Sequence, residues 1–347
     1  MNNFTEELKG NHSECVPNAE VVTKVLPTLY TFVFLVGLIL NGLNLWIFCY
    51  IPSNRSFIVY LKNIVIADLL MTLTFPMKII SDAGFGNEHL RVFVCRFSAV
   101  VFYLNMYIGI IFLGILGFDR YFKIVRPMNS STSLQNVFYS KVIAALVWAL
   151  MAFISVPNMI LTNQPYDTTV KVTCAKLKSE LGLKWHTISN YICIAIFVLV
   201  FSLLLIFYVS ISRKIFLSRQ KFRRGSNAGR KSTRNIYSIL IVFFICFVPY
   251  HLCRIPYTIS QSENVFSCQY KKNLFYVKEV TLLLSAANVC LDPVIYFFMC
   301  QPFRQMLFKK MGIEDRHQET EKASCYGFPE VTYEKSMVRS AQISYTL

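Results

Sequence analysis

Seven long apolar segments, separated by polar connections, dominate the hydrophobic pattern of this chain. Each is close to the roughly 20 residues that an α-helix needs to cross the hydrocarbon core of a bilayer. Because backbone polar groups must be paired in lipid, such segments are expected to be helical. The pattern therefore predicts an all-α membrane protein, a bundle of seven transmembrane helices. The predicted spans lie at about 25–50, 58–82, 93–125, 139–162, 186–215, 233–260 and 274–298.

A short amphipathic segment follows the seventh span. Its apolar residues Phe303, Leu307 and Phe308 lie opposite Arg304 and Lys309 on a helical wheel. A helix with one apolar face and one basic face rests on a membrane surface and does not cross it. The pattern therefore predicts a short amphipathic eighth helix.

The polar ends of the chain complete the predicted organisation. Residues 1–24 lack the basic start and the small-residue cleavage site of a removable signal peptide, so the first apolar run is expected to be the first spanning helix. Residues 25–312 form the predicted membrane domain. Residues 313–347 are polar and rich in Glu, Ser and Tyr, which predicts a disordered tail.

Lysines and arginines predict the orientation. The loop at 213–234 contains nine of them and no acid, whereas residues 1–24 are slightly acidic. Because cytoplasmic loops carry the excess of Lys and Arg, the N-terminus is expected outside the cell, with the eighth helix and the tail in the cytoplasm. Of the glycosylation sequons, only those at Asn3 and Asn11 then lie outside. The net charge of +16 is largely a cytoplasmic feature, which argues against a nucleic-acid partner.

Composition narrows the class of protein. With 54% hydrophobic and 16% charged residues, the chain is too apolar for an ordinary soluble protein, which has about 45–50% and about 25% respectively. No predicted span contains a nucleophile–base pair or a metal-binding cluster. An enzyme is therefore not expected, and no cofactor is implied.

Four of the eleven cysteines, Cys15, Cys95, Cys174 and Cys268, are predicted to lie outside the cell. Four cysteines allow three pairings, and the sequence alone does not choose among them. A bond between Cys95 and Cys174 would tie the third span to the second outer loop. A bond between Cys15 and Cys268 would tie the N-terminus to the third outer loop.

The sixth apolar run contains two ionisable residues, His251 and Arg254, within the stretch 246–261. At about 100° per residue they share one helical face with Phe247 and Gln261. An ionisable residue at membrane depth is costly and is usually used for function. The alternative is that both residues are structural and pair with polar groups on a neighbouring helix.

A few polar residues inside the predicted spans form a distinctive ordered set. Asp119-Arg120-Tyr121 closes the third span, and Asp292-Pro293-x-x-Tyr296 lies in the seventh. The other markers are Asn41 in the first span, Asp68 in the second and Trp148 in the fourth. Together with seven spans and an outside N-terminus, this set resembles the rhodopsin-like G-protein-coupled receptors.

The resemblance implies roles for residues of the inner half. Asp119 would hold Arg120 in an ion pair at rest, and activation would release Arg120 toward Tyr208 and the G protein. Pro249 would provide the hinge of the sixth helix, because proline removes a backbone hydrogen bond. The polar residues Asn41, Asp68, Asn288 and Asp292 would line a seam that binds sodium in this family; the alternative is a static interhelical hydrogen bond.

Within the rhodopsin-like receptors, the sequence resembles the purinergic nucleotide receptors. Stretches 56–63, 73–79 and 157–163 carry this resemblance. Within these receptors it is most similar to the branch that couples to inhibitory G proteins, and stretches 282–293 and 300–304 look like its receptors for UDP-glucose and related UDP-sugars. An ADP receptor of the same branch is the alternative. Two departures from the wider family are Phe247, where tryptophan is common, and Val200, where proline is usual.

The resemblance also implies a ligand site in the outer half of the bundle. Phosphate groups favour Arg and Lys, and Arg offers a bidentate fork. A base would stack on a tyrosine, and amide or imidazole groups would bind the remaining polar atoms. The expected ligand residues are Lys78, Tyr103, Asn158, Lys178, His186, Asn190, His251, Arg254, Tyr257, Gln261 and Lys278.

Alternatives remain for several of these residues and for the function. Lys278 could pair with adjacent Glu279 or extend to the membrane edge, and His186 and Asn190 could be structural. The implied partners are a nucleotide or nucleotide-sugar and an inhibitory G protein, with arrestin and receptor kinases acting on the tail. The rival class is a nucleotide-sugar transporter, against which the sequence has no sign of an inverted repeat.

Overall fold

The computed structural model describes residues 20–125, 136–166, 173–221, 227–262 and 267–312. Of residues 218–221, 227–236, 261 and 262 only the backbone is described. The predicted N-terminal segment and tail, with Asn3, Asn11 and Cys15, therefore lie outside the described residues, apart from residues 20–24.

Seven helices in the described part are long and apolar enough to cross a membrane, which confirms the predicted fold class. They are α1 (Val21–Tyr50), α2 (Ser56–Asp82), α3 (Glu88–Val125), α4 (Val137–Ile160), α5 (Glu180–Leu217), α6 (Tyr237–Ser260) and α7 (Cys268–Met299). Helical backbone continues beyond two of these spans, so that the whole helices run Glu180–Lys221 and Asn227–Ser262.

The spans α3, α5 and α7 begin about five or six residues earlier than the hydrophobic pattern predicts. The extra turns are polar; the first turn of α7, for example, contains Gln269, Lys271 and Lys272. Hydropathy marks only the part of a helix that suits lipid, whereas backbone hydrogen bonds continue into the polar region. The predicted starts were therefore too late at these three outer ends.

Two spans are interrupted by local changes of helix. The α2 span consists of Ser56–Thr72 and Phe75–Asp82, and Pro76 lies in the first turn of the second piece, where its missing N–H costs least. The α7 span consists of Cys268–Ala286 and Asn288–Met299, and they meet at Ala287. Both interruptions lie beside residues of the candidate site.

A short helix, α8 (Gln301–Lys310), follows α7. Phe303 is buried, with its ring centroid 5.3 Å from that of Phe48 in α1 and 6.3 Å from that of Tyr296 in α7. The predicted eighth helix is therefore present in the chain, anchored on the bundle through its apolar face. Its contact with a cytoplasmic membrane surface stays a prediction.

Helices α1 and α7 approach closely at Gly37. A Cβ atom built there would lie 2.6 Å from Val289 Cγ2 and 3.5 Å from Thr72 Oγ1. Because valine is stiff at χ1, it has no easy way to move aside. Gly42, on the same helix, has no neighbour within 4 Å of such a Cβ.

This contrast gives a stability test. We expect Gly37→Ala to lower the free energy of unfolding by about 1–3 kcal/mol, because it overpacks the α1–α7 contact. Gly42→Ala is the matched control, and it should be neutral or stabilise by up to about 1 kcal/mol through helix propensity. Thermal unfolding of the purified chain in detergent would measure both; equal melting temperatures for the two variants would contradict the close contact.

Candidate functional site

Two lysines from different helices share one carboxylate at the end of the bundle opposite to α8, which is called the outer end because the predicted orientation places it outside the cell. Lys78 Nζ of α2 lies 2.6 Å from Asp82 Oδ2 and 3.8 Å from Glu279 Oε2. Lys278 of α7 also forms an ion pair with Glu279. The Glu279 side chain is 9% exposed, so this cluster is largely shielded from solvent. The alternative raised for Lys278, pairing with Glu279, is therefore what the structure shows.

Arg254 of α6, like Lys178, has no carboxylate partner among the described residues of this region. Its Nη2 donates to Asn190 Oδ1 of α5 over 3.2 Å, and its Cζ lies 5.9 Å from the ring centroid of Tyr103 in α3. Neutral partners satisfy its hydrogen bonding only in part and leave its charge uncompensated. Because Lys78 and Lys278 are matched by Asp82 and Glu279, Arg254 and Lys178 give the region its net positive charge.

Aromatic rings line the same region. Lys278 Nζ lies 5.3 Å from the ring centroid of Tyr257 and 5.0 Å from that of Phe275, and Lys78 Nζ lies 5.0 Å from that of Tyr30. These distances are within the range of cation–π attraction. The rings therefore help to hold the lysines while leaving their ammonium protons directed at polar atoms.

His251 lies one turn inward from Arg254 and is fully enclosed, at 2% exposure. Its Nδ1 lies 2.8 Å from the carbonyl oxygen of Phe247, which can only accept, so Nδ1 carries the proton. Its Nε2 lies 3.0 Å from the hydroxyl of Tyr107, and its ring stacks on Phe197 with centroids 3.7 Å apart. Both nitrogens are engaged by protein groups, as in the structural alternative for this residue.

The remaining expected ligand residues lie around α4, α5 and the segment between them. Asn158 Nδ2 donates to Ser189 Oγ over 3.2 Å, and its buried Oδ1 has no hydrogen-bond partner in the described part. Lys178 Nζ donates to Thr162 Oγ1 over 3.4 Å, and burial lowers the pKa of this lysine. His186 is half-buried on α5. The side chain of Gln261 lies outside the described residues.

A disulfide joins Cys95 of α3 to Cys174, in the segment that precedes the start of α5 at Glu180. It confirms one of the bonds that the sequence left open. Cys268 is also disulfide-bonded, and its predicted partner Cys15 lies outside the described residues. The first disulfide keeps the segment that carries Lys178 against the outer end of α3.

A second polar group lies deeper, between α1, α2 and α7. Asn41 Nδ2 donates to the Val289 carbonyl over 2.6 Å, and the Tyr296 hydroxyl donates to Asp68 Oδ2 over 3.3 Å. Four buried oxygens of this group have no hydrogen-bond partner in the described part of the chain: Asn41 Oδ1, Asn288 Oδ1 and both carboxylate oxygens of Asp292. Unpaired buried acceptors are costly, and a cluster of oxygen ligands fits a hard cation such as sodium.

The inner end of α3 differs from the expected resting pair. The ion pair that the structure shows for Asp119 is with Lys123, one turn along, with Nζ–O distances of 2.7 and 2.8 Å. The guanidinium carbon of Arg120 lies 4.1 Å from the ring centroid of Phe57. An Asp and a Lys four residues apart face each other on a helix, which is why this alternative partner is available.

Other residues with expected roles in activation lie near the inner end of α3. Tyr121 stacks on Phe207 of α5, with centroids 5.1 Å apart. Tyr208 is buried, and its ring centroid is 6.5 Å from that of Tyr237 in α6. Pro249 and Pro293 lie inside their helices, as the sequence predicts.

Two parts of the site were not expected from the sequence. Asp82 is one turn from Lys78, and this i,i+4 spacing on a helix could have revealed the pair. Tyr107 and Phe197 enclose His251, but they come from two other helices and only the packing brings them together. No local pattern marks them.

The shared carboxylate gives a test of the outer cluster. We expect Glu279→Gln to lower the free energy of unfolding by about 3–5 kcal/mol, because it leaves buried lysine charge without compensation. Glu20→Gln is the control, since the exposed pair of Glu20 with Lys24 should contribute at most about 1 kcal/mol. Thermal unfolding of both variants would measure the difference, and an unchanged melting temperature for Glu279→Gln would show that the cluster is not needed for stability.

Comparison with known proteins agrees with this architecture. Residues 40–296 match the model of the 7 transmembrane receptor (rhodopsin family). The chain is 56% identical to purinoceptor 14 of Bos taurus over 89% of its own length and 92% of the relative. It is 46% identical to G-protein coupled receptor 87 of Mus musculus (91% and 87%) and 45% identical to purinoceptor 13 of Homo sapiens (86% and 84%). The chain therefore belongs to the rhodopsin family of seven-transmembrane receptors and, within it, to the purinoceptor group.

Proposed function

We propose that this chain is a cell-surface receptor for UDP-glucose or a related UDP-sugar, and that it signals through inhibitory G proteins to lower cAMP. The observation that carries the proposal is Arg254, a cation with no carboxylate partner among the described residues, held between Asn190 and Tyr103. A ligand with two phosphates supplies the missing negative charge. The similarity to purinoceptors supports a nucleotide as its source.

The proposed site divides the ligand among the groups already described. Arg254 would take the phosphates as a bidentate donor, with Lys78, Lys278 and Lys178 adding positive charge. Lys78 and Lys278 are already paired with carboxylates, so an arriving diphosphate would compete with Glu279 for them. That competition supplies a way to change the α2–α7 contact on binding.

The neutral groups would recognise the rest of the ligand. Tyr103 and Tyr257 offer faces for the base, and Asn158 has a buried oxygen that lacks a donor in the described part. His186 and Asn190 are close enough in sequence on α5 to serve the same ligand. His251 would act indirectly, since protein groups engage both of its nitrogens. We therefore assign it to positioning Arg254 and to the coupling described next.

An aromatic stack would carry the signal inward from α6. Phe197, Phe201 and Phe243 lie nearly parallel, with centroids 5.8–6.1 Å apart and angles of at most 7°. His251 lies on the outer end of this stack. A shift of α6 at Arg254 would move His251 against the aromatic stack. Pro249 lies between Phe243 and His251 along α6 and supplies a flexible point in the helix. Phe247, which takes the place of the usual tryptophan, contacts the same stack through Phe243.

The inner half would then engage the G protein. We assign Asp119, Arg120, Tyr121, Tyr208, Pro293 and Tyr296 to this step. The orientation that follows has the N-terminus outside, the basic inner loop and α8 in the cytoplasm, and glycosylation at Asn3 and Asn11. Arrestin and receptor kinases would act on the tail. The seam of Asn41, Asp68, Asn288 and Asp292 would hold sodium, whose charge would balance the buried carboxylates.

Loss of the unpaired cation should weaken the response. We expect Arg254→Ala to raise the half-maximal effective concentration of UDP-glucose at least about tenfold at normal surface expression. The phosphates lose a bidentate partner worth about 1.4 kcal/mol or more. Arg91→Ala is the control; Arg91 is an outer arginine already paired with Glu88. Dose–response curves for cAMP inhibition would measure both, and an unchanged curve for Arg254→Ala would make Arg254 structural.

A ligand panel separates the receptor from its rivals. In cells that express the chain, we expect UDP-glucose to lower cAMP in a manner that pertussis toxin blocks. ADP, UDP and UDP-galactose belong in the same panel, and a response to ADP alone would favour the alternative receptor. Uptake of labelled UDP-glucose into vesicles without a cAMP response would instead support a transporter.

A further inference from the structure

A cavity of about 360 Å³ lies in the half of the bundle that contains Asp119, away from all of the expected ligand residues. Helices α3 and α5 form most of its wall, and Ile143 of α4 and Tyr60 of α2 complete it. Its lining is almost wholly apolar and includes Phe118, Phe122 and Phe207. Apolar cavities of less than half this size stay dry and take up apolar molecules.

The cavity is closed toward the centre of the bundle and open toward the side of the bundle that faces lipid. On the side that faces the centre of the bundle, α3 and α5 touch through glycines: a Cβ on Gly114 would lie 2.8 Å from Val200 Cγ1, and one on Gly117 would overlap Leu204. On the side that faces lipid, Leu203 lines the cavity and is itself 39% exposed. Since these residues belong to spanning segments, the medium at this opening is bilayer hydrocarbon.

The polar groups of the lining do not call for a polar ligand. Asp119 is the one carboxylate among the lining residues, and Lys123 already engages both of its oxygens at 2.7 and 2.8 Å. A sterol or another hydroxyl-bearing molecule would therefore gain little from a hydrogen bond here. A flexible hydrocarbon chain needs no such partner and can fill an irregular apolar space.

We propose that this cavity binds one acyl chain of a bilayer phospholipid, which enters between α4 and α5. The acyl chain would contact Phe118 and Phe207. Phe207 in turn stacks on Tyr121 of the Asp-Arg-Tyr sequence. An acyl chain there would form part of the packing between α3 and α5 next to the residues assigned to G-protein coupling. The proposal rests on the family assignment for its membrane setting, and it requires no nucleotide.

Photolabelling of the full chain tests the proposal. The protein would be reconstituted in phosphatidylcholine vesicles that contain phosphatidylcholine with a diazirine on its acyl chain, and mass spectrometry would locate the label after illumination. We expect labelling at Phe118, which lies inside the cavity. Leu203→Trp should reduce this labelling about tenfold, because the larger side chain occupies the space.

The control has the same chemistry at another place on α5. Leu205 is 41% exposed and is not among the lining residues, so Leu205→Trp should leave the labelling of Phe118 unchanged. If Leu203→Trp does not give a monodisperse protein, Ile143→Phe, which fills the cavity from α4, carries the same expectation. Its control is Val142→Phe, at an exposed neighbouring position.

Three results would overturn the proposal. One is equal labelling of Phe118 in the filling variants and their controls. Another is labelling of Phe118 no stronger than that of Leu199, an exposed lipid-facing residue of α5. The third is labelling by a diazirine sterol in place of the phospholipid. The photolabelling results do not depend on whether the protein responds to a nucleotide. Failure of the proposed function is therefore distinguishable from failure of the lipid site.

Discussion

Charge buried between membrane helices is the constraint on which the outer half of this protein depends. Lys78 and Lys278 come from different helices; Asp82 and Glu279 both balance Lys78, and Glu279 also pairs with Lys278. An isolated ammonium in a low-dielectric interior would be strongly disfavoured, whereas an ammonium beside a carboxylate is tolerated. The position of α7 against α2 is therefore tied to the charge balance of four side chains, Lys78, Asp82, Lys278 and Glu279. Arg254 departs from that balance, and its imbalance is the basis for assigning an anionic ligand.

The deeper seam has the opposite imbalance, an excess of buried hydrogen-bond acceptors. Amide and carboxylate oxygens of α1 and α7 are buried there without donors among the described residues. The protein thus has a region that is short of negative charge near its outer end and a region that is short of positive charge near its middle. Helix α7 contributes to both, through Lys278 and Glu279 in its outer piece and through Asn288 and Asp292 in its inner piece.

Sequence reasoning predicted the fold well, because a long apolar run marks each spanning helix. The starts of three helices were predicted too late, since polar turns outside the bilayer leave no hydrophobic signal. Of the outer cluster, the sequence identified Lys78, Lys278 and Arg254 and offered Glu279 as a partner of Lys278, but it did not reveal Asp82. The Asp119–Lys123 pair and the pairing of Lys278 with Glu279 are local and could be read from spacing. The enclosure of His251 by Tyr107 and Phe197 depends on three helices meeting, which no local pattern encodes.

The interruption of α7 at Ala287 has a consequence for how the two regions communicate. The N–H of Ala287 donates to the carbonyl of Leu283, a regular bond to the fourth residue back, whereas the N–H of Cys290 donates to the carbonyl of Ala287, three residues back, so the helix tightens locally at this residue. A continuous helix would transmit any tilt at its outer end as a rigid rod. The tightened turn at Ala287 instead divides α7 into a piece that carries Lys278 and Glu279 and a piece that carries Asn288 and Asp292. A bend at this turn would change the distance between the buried ion pairs and the buried oxygens, so the two polar regions share one adjustable point in a single helix.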